Sequence, residues 1–249
     1  MCFSAEADLL TGIVVSGVGA DALRRCPNRR YLPLAILPLL FGLHQVVEAF
    51  AWWGMEGRLP REVGDAAVWV YLAFAFLVLP PLVPAAVRAA ETDEGRRARL
   101  VPFVVLGVVV AAALLPGLLN GGAGGEVACR YIAYDAGVPY GGYVLPLYVV
   151  AVCCPLLLSG SRRFLAFGLA NLAAVAVLSW LRAGGVISLW CVWAAVTSVV
   201  IAREVRSAGR RETRAEPRVP TCRRPAGGAA GGGSGRRRPA GRRAPSVRR

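Results

Sequence analysis

The sequence predicts an all-α fold, a polytopic bundle of about seven transmembrane helices followed by a disordered basic C-terminal tail. Three observations predict it. Seven apolar stretches recur within residues 1–202, each near the roughly 20 residues that a helix needs to cross a bilayer. Short polar loops divide them, and arginine gathers in alternate loops. Hydrophobic residues make up 56% of the chain and its mean hydropathy is +0.52, well above a soluble domain of this length.

The spans read as 5–23, 32–54, 66–87, 100–119, 141–159, 164–182 and 185–202. In the first, Glu6, Asp8 and Asp21 lie at the ends, and Gly12, Ser16 and Ala20 form a ridge of small residues suited to close helix packing. The second carries Pro38, which removes a backbone hydrogen bond and kinks the helix. It closes on Trp52 and Trp53, an interfacial aromatic belt. The sixth holds Asn171 near its middle, where an amide needs a polar partner. Only Ala183 and Gly184 separate it from the seventh, and the combined length of the two fits two spans rather than one re-entrant hairpin. No internal repeat supports an inverted-repeat transporter.

Composition changes near Arg203, so residues 1–203 read as the membrane domain and 204–249 as an Arg/Gly/Pro-rich tail. From Arg203 onward fifteen arginines face three glutamates, which gives +12 of the formal +14. A pI near 10.5 would ordinarily raise nucleic acid as a partner. This charge lies on a low-complexity tail without aromatics, so anionic lipid headgroups are the expected partner and nucleic acid is not. A protein partner is not specified.

Arginine counting sets the orientation. The loops at 24–31, 88–99 and 160–163 and the tail hold 25 arginines, against Arg58, Arg61, Arg130 and Arg182 on the other side. The N-terminus is expected outside and the C-terminus in the cytoplasm. All 29 basic residues are arginine, which with the Ala, Gly, Val and Pro content points to a GC-rich bacterial genome and hence the bacterial inner membrane. A secretory signal peptide is not expected, because the start lacks a basic region and a cleavage site.

The same counts exclude several chemistries. Without lysine no retinal Schiff base can form. His44 is the single histidine and none of the seven cysteines forms a CxxC pair, so neither a Cys/His zinc site nor a bis-histidine haem is expected. No cofactor and no metal are expected. Cys2 and Cys129 both fall on the outer side, where a disulfide is permitted.

The candidate site lies on the second span. His44 and Glu48 are one turn apart on one face, with Gln45 beside them. Counted from Tyr31, His44 lies about 19 Å and Glu48 about 25 Å along the helix at 1.5 Å per residue, which puts Glu48 one turn inside the tryptophan belt. An ionisable group there is expensive and marks a functional site by default; the alternative is interhelical hydrogen bonding alone. Arg130, Tyr134 and Arg182 reach the same half and are the other ligand-binding candidates. A charged Glu48 in a low-dielectric pocket would draw on Arg130 or Arg182. No residue is assigned a catalytic role.

The opening Met1-Cys2-Phe3-Ser4-Ala5 and the run Leu32-Pro33-Leu34 … Pro38-Leu39-Leu40-Phe41 … Gln45 … Glu48 … Trp52 resemble an uncharacterised bacterial multi-pass membrane protein family. The resemblance covers about the first 55 residues. It departs at Ala49, where many relatives have Gly, and at His44, where many have Gln, and so favours Gln45 and Glu48 over His44. The family carries no assigned activity. Three classes of function stay open: binding or movement of a small molecule or lipid through a pocket near the outer leaflet, acid–base catalysis on a lipid or isoprenoid, and a structural membrane partner. A second buried carboxylate facing Glu48 would favour catalysis, and spans three to seven offer no candidate for it.

Overall fold

The computed structural model describes residues 4–120, 124–128, 131–135, 141–180 and 195–208. These belong to a compact unit, Met1–Glu216; a second unit, Pro217–Arg249, lies outside the described residues. The chain is predominantly helical. In order it forms α1 (Ala5–Arg24), α2 (Leu32–Met55), α3 (Arg61–Ala73), a π-helical turn (Phe74–Val78), α4 (Leu79–Ala90), α5 (Glu94–Arg99) and α6 (Val101–Leu119). Strands β1 (Gly124–Ala128) and β2 (Tyr131–Asp135), α7 (Gly141–Leu158) and α8 (Arg162–Trp180) follow, then a helix α9 over 195–208.

Three helical stretches, Leu32–Met55, Arg61–Ala90 and Glu94–Leu119, are long and apolar enough to cross a membrane, the mark of a membrane protein. They match the second, third and fourth expected spans. Helices also stand where the first, fifth and sixth were expected.

Two differences from the sequence reading have physical causes. The loop at 120–140 contains an antiparallel pair in which Gly124 faces Asp135 and Ala128 faces Tyr131; Tyr131, Ile132 and Tyr134 favour an extended chain. Past Arg203, where the composition changes, helix α9 continues to residue 208. Two of its charged residues have partners in the body: Glu204 accepts from Arg163, whose guanidinium also donates to the Ser207 hydroxyl, and Arg206 pairs with Asp21. Val205 is fully buried in the apolar core. The remaining tail lies outside the described residues.

The tightest packing joins α1 to α2. Along α1 the buried residues are Ala5, Asp8, Gly12, Val15, Gly19 and Ala22, spaced alternately by three and four as in a coiled-coil seam. Along α2 the same spacing runs through Ala35, Pro38, Gly42, Gln45, Ala49 and Trp52. Most of these are small, so the backbones touch. A Cβ on Gly12 would lie 2.8 Å from the Gly42 carbonyl oxygen, and one on Gly19 would lie 2.2 Å from the Leu39 nitrogen. The expected ridge is thus corrected at its end: Gly19, not Ala20, makes the close approach. A strict spacing of four advances about 40° too far at each step of a helix with 3.6 residues per turn, whereas alternating three and four stays on the seam. A second glycine contact, Gly54 against Gly64, closes α2 onto α3.

The π-helical turn is built by three residues that follow or face it. The Leu79 N–H donates to the Phe74 carbonyl, one residue further back than in an α-helix, which strips the Ala75 carbonyl of its helical donor. Pro80 and Pro81 carry no N–H to replace it. The Tyr148 hydroxyl of α7 donates to Ala75 instead, at 3.0 Å. Where α6 crosses this turn, Gly107 lets the Pro80 carbonyl approach; an added Cβ would stand 2.2 Å from it.

Polar contacts sort the helix ends into two faces. On one, Arg58 after α2 pairs with Glu6 of α1 at 2.7 Å, and β1 lies against α2 and α3. Glu6 also holds the Arg58 guanidinium even further toward its charged form. On the other, Asp21 meets Arg25 and Arg206, Glu91 meets Gly160, and Arg163 meets Glu204. The loops after α1, α4 and α7 and the end of α9 therefore share one face.

Two outcomes follow from this packing. Gly19→Ala should lower the melting temperature in detergent by several degrees, because overpacking a tight contact costs about 1–3 kcal/mol. Gly17→Ala, with nothing within 4 Å of its Cβ, should hold or raise it, since alanine is the better helix former. Equal shifts would show that the seam is not tight. Tyr148→Phe should destabilise by about 1 kcal/mol, the effect of leaving a part-buried carbonyl without its donor, measured by thermal unfolding; an unchanged midpoint would mean another donor reaches Ala75.

Candidate functional site

The start of the chain is locally determined. Ser4 caps α1, its hydroxyl accepting from the Ala7 N–H at 3.4 Å, and Ala5 takes the first buried position of the seam at 0% exposure. Pro33 sits in the first turn of α2, where its missing N–H does no harm. Pro38 is buried in the seam. Ala49 is fully buried there too, which explains why only a small residue fits that position.

Gln45 and Glu48 are each 1% exposed, and each is engaged with neighbours. Gln45 belongs to the α1–α2 seam. Glu48 lies one position off it, between residues of an apolar cluster that includes Ala49, Ala51, Trp52, Val68, Tyr71 and Leu118. Keeping a carboxyl in such surroundings costs on the order of 2.5–3.5 kcal/mol on insertion scales.

His44 turns toward α3. Its Nε2 lies 3.0 Å from the Tyr71 carbonyl oxygen, and because a carbonyl only accepts, that nitrogen carries the proton and donates. Its ring stacks on Tyr71 with centroids 3.9 Å apart and planes 16° apart, and Phe74 lies 4.7 Å away. Tyr71 sits three residues before the π-helical turn. A π-bulge of this kind is common beside functional sites.

One residue that the sequence reading passed over as a helix-end charge joins them. Asp8 is 5% exposed and occupies a seam position of α1. Antiparallel pairing that sets Gly12 against Gly42 and Val46 brings the preceding turn of α1 level with the turn of α2 from Glu48 to Trp52. The Asp8 carboxyl is accordingly a neighbour of the Trp52 indole, whose N–H falls short of hydrogen-bond geometry with any described residue. The signal was available: Asp8 completes the three–four spacing with Ala5 and Gly12.

The other candidates divide. Tyr134 stands in β2, opposite Gly125. Arg130, Arg182, Cys2 and Cys129 lie outside the described residues, and with them the disulfide that the sequence permits. Among the described residues no cluster of three or more His, Cys, Asp or Glu could hold a metal ion. An apolar cavity of about 50 Å³ is lined by Leu37, Phe41, Val83, Tyr148, Phe164 and Ile201 among others; Gln45 and Glu48 do not line it.

Comparison with known proteins adds one match. A model for a family of unknown function, DUF6629, matches residues 1–217. The chain belongs to that family. Membership extends the resemblance far beyond the first 55 residues, so the helices through α9 share it. Neither the curated proteins nor the solved structures gave a match.

Proposed function

We propose that this DUF6629 member is a bacterial cell-membrane protein that binds or moves a small molecule or lipid at the α1–α2 seam, near the outer leaflet. Asp8, Gln45 and Glu48 are the groups it would use, with Tyr134, Arg130 and Arg182 as further candidates. The observation that supports this reading is the burial of Asp8 and Gln45 on the seam, with Glu48 buried one position off it, among residues that are otherwise apolar. Three costly polar groups in one place are more than helix adhesion requires.

Function and adhesion separate by isosteric substitution. Glu48→Gln keeps most hydrogen bonds, so it should fold with a near-normal melting temperature yet lose the small molecule or lipid that co-purifies with the wild type, as read by native mass spectrometry. Glu48→Leu should destabilise. Retention of the same co-purifying mass and full function in the host by Glu48→Gln would reject the reading.

Asp8 also favours a second reading, an acid–base enzyme acting on a lipid or isoprenoid, because such chemistry commonly uses two carboxyls of different proton affinity. Under it, Asp8→Asn and Glu48→Gln each abolish turnover while binding persists.

The topology belongs to the same proposal: seven crossings, an outside N-terminus, and a cytoplasmic tail attracted to anionic headgroups. The shared face of the loops after α1, α4 and α7 and the end of α9 supports it. Reporters fused at Arg203 should be active only in the cytoplasmic version, and activity of an exterior-only reporter would overturn the orientation.

A further inference from the structure

The face opposite Glu48 carries a polar cleft of about 370 Å³ whose walls come from the loop after α4, the α7–α8 loop, the start of α8 and α9. Three guanidinium groups line it, Arg96, Arg162 and Arg163. Its two carboxylates are already committed. Glu91 is buried and accepts from the N–H groups of Gly160, Thr92 and Asp93; Glu204 is buried against Arg163. Arg162 has no carboxylate partner among the described residues, and Arg96 reaches only the exposed Asp93, at 4.0 Å. The Arg96 guanidinium lies over Gly160, so close that a Cβ there would meet it at 1.6 Å, which keeps this charge within the cleft. What remains facing the space is surplus positive charge with hydroxyls from Thr92 and Ser161, a donor set suited to phosphate.

A second observation identifies the kind of phosphate. Phe164 lines both this cleft and the apolar cavity behind it. Polar and apolar spaces therefore adjoin across one side chain, as an amphiphile needs. The cavity, about 50 Å³, is too small for a whole acyl chain, since a cavity of about 150 Å³ takes only a benzene. It suits the first part of a chain, with the rest running along the exposed apolar surface of the helices. The geometry points to a binding site for an anionic phospholipid, its phosphate held by Arg96 and Arg162 and a chain entering beside Phe164. This site is separate from the Glu48 region and does not depend on it.

The test uses full-length protein in maltoside micelles and follows its melting temperature during titration with phosphatidylglycerol, phosphatidylcholine or inorganic phosphate. Phosphatidylglycerol should raise it saturably and phosphatidylcholine far less. Arg96→Gln and Arg162→Gln, both at exposed positions, should keep the starting melting temperature and each weaken the apparent affinity about fivefold. A tail variant of equal charge loss, Arg242→Gln, separates the cleft from bulk attraction to the tail and should leave the affinity nearly unchanged. Protection by inorganic phosphate as strong as by phosphatidylglycerol would assign the cleft to a soluble anion and overturn the lipid assignment. Absence of saturable protection in the wild type, or equal losses in cleft and tail variants, would overturn the site altogether.

Discussion

The contact on which the arrangement depends is backbone against backbone along α1 and α2. In a bilayer there is no hydrophobic drive between helices, so association rests on van der Waals contact and polar pairing. Gly12, Gly19 and Gly42 supply the first by letting main chains meet. The same closeness sets the burial of whatever shares the seam. Asp8 and Gln45 are nearly inaccessible because they stand on rows of residues too small to hold the helices apart. The seam is thus both the adhesive and the reason these polar groups lie away from solvent.

A second constraint acts through the third membrane helix. Pro80 and Pro81 deny donors to the preceding turn, and the chain answers with a π-helical turn rather than a break. That answer draws in α7 through Tyr148 and α6 through Gly107. On the other side of the same helix, His44 uses the Tyr71 carbonyl and stacks on the Tyr71 ring. The irregular helix is therefore tied to α2, α6 and α7, and a shift in its winding would be felt at His44, one turn from Glu48.

Most of the helical order was legible in the sequence, because long apolar runs between arginine-bearing loops admit few other readings. Gln45 and Glu48 were legible as well, since polar side chains inside an apolar run declare themselves. Asp8 was not, because a carboxylate close to a helix start reads as a dipole complement or an interfacial charge; only its place in the three–four spacing reveals that it turns inward. The end of α9 was hidden for the opposite reason. Arg203, Glu204 and Arg206 look like the start of a charged tail, yet their partners Arg163 and Asp21 are 41 and 185 residues away from Glu204 and Arg206, and no local pattern announces pairings of that range.

The two faces solve the charge problem in contrasting ways. At the Glu48 end the acidic groups are taken inside the helix packing, where each is costly. At the arginine-rich end the acids are used to order loops: Glu91 gathers the N–H groups of Thr92, Asp93 and Gly160, and Glu204 holds Arg163. Because Glu91 and Glu204 are satisfied in this way, they do not neutralise Arg96 and Arg162, and the positive potential of that face survives close to the membrane plane. A fold that merely needed soluble loops would gain as much from pairing those arginines with each available carboxylate. Committing Glu91 to backbone N–H groups and Glu204 to Arg163 instead leaves Arg96 and Arg162 facing open space, which is the arrangement an anionic headgroup requires.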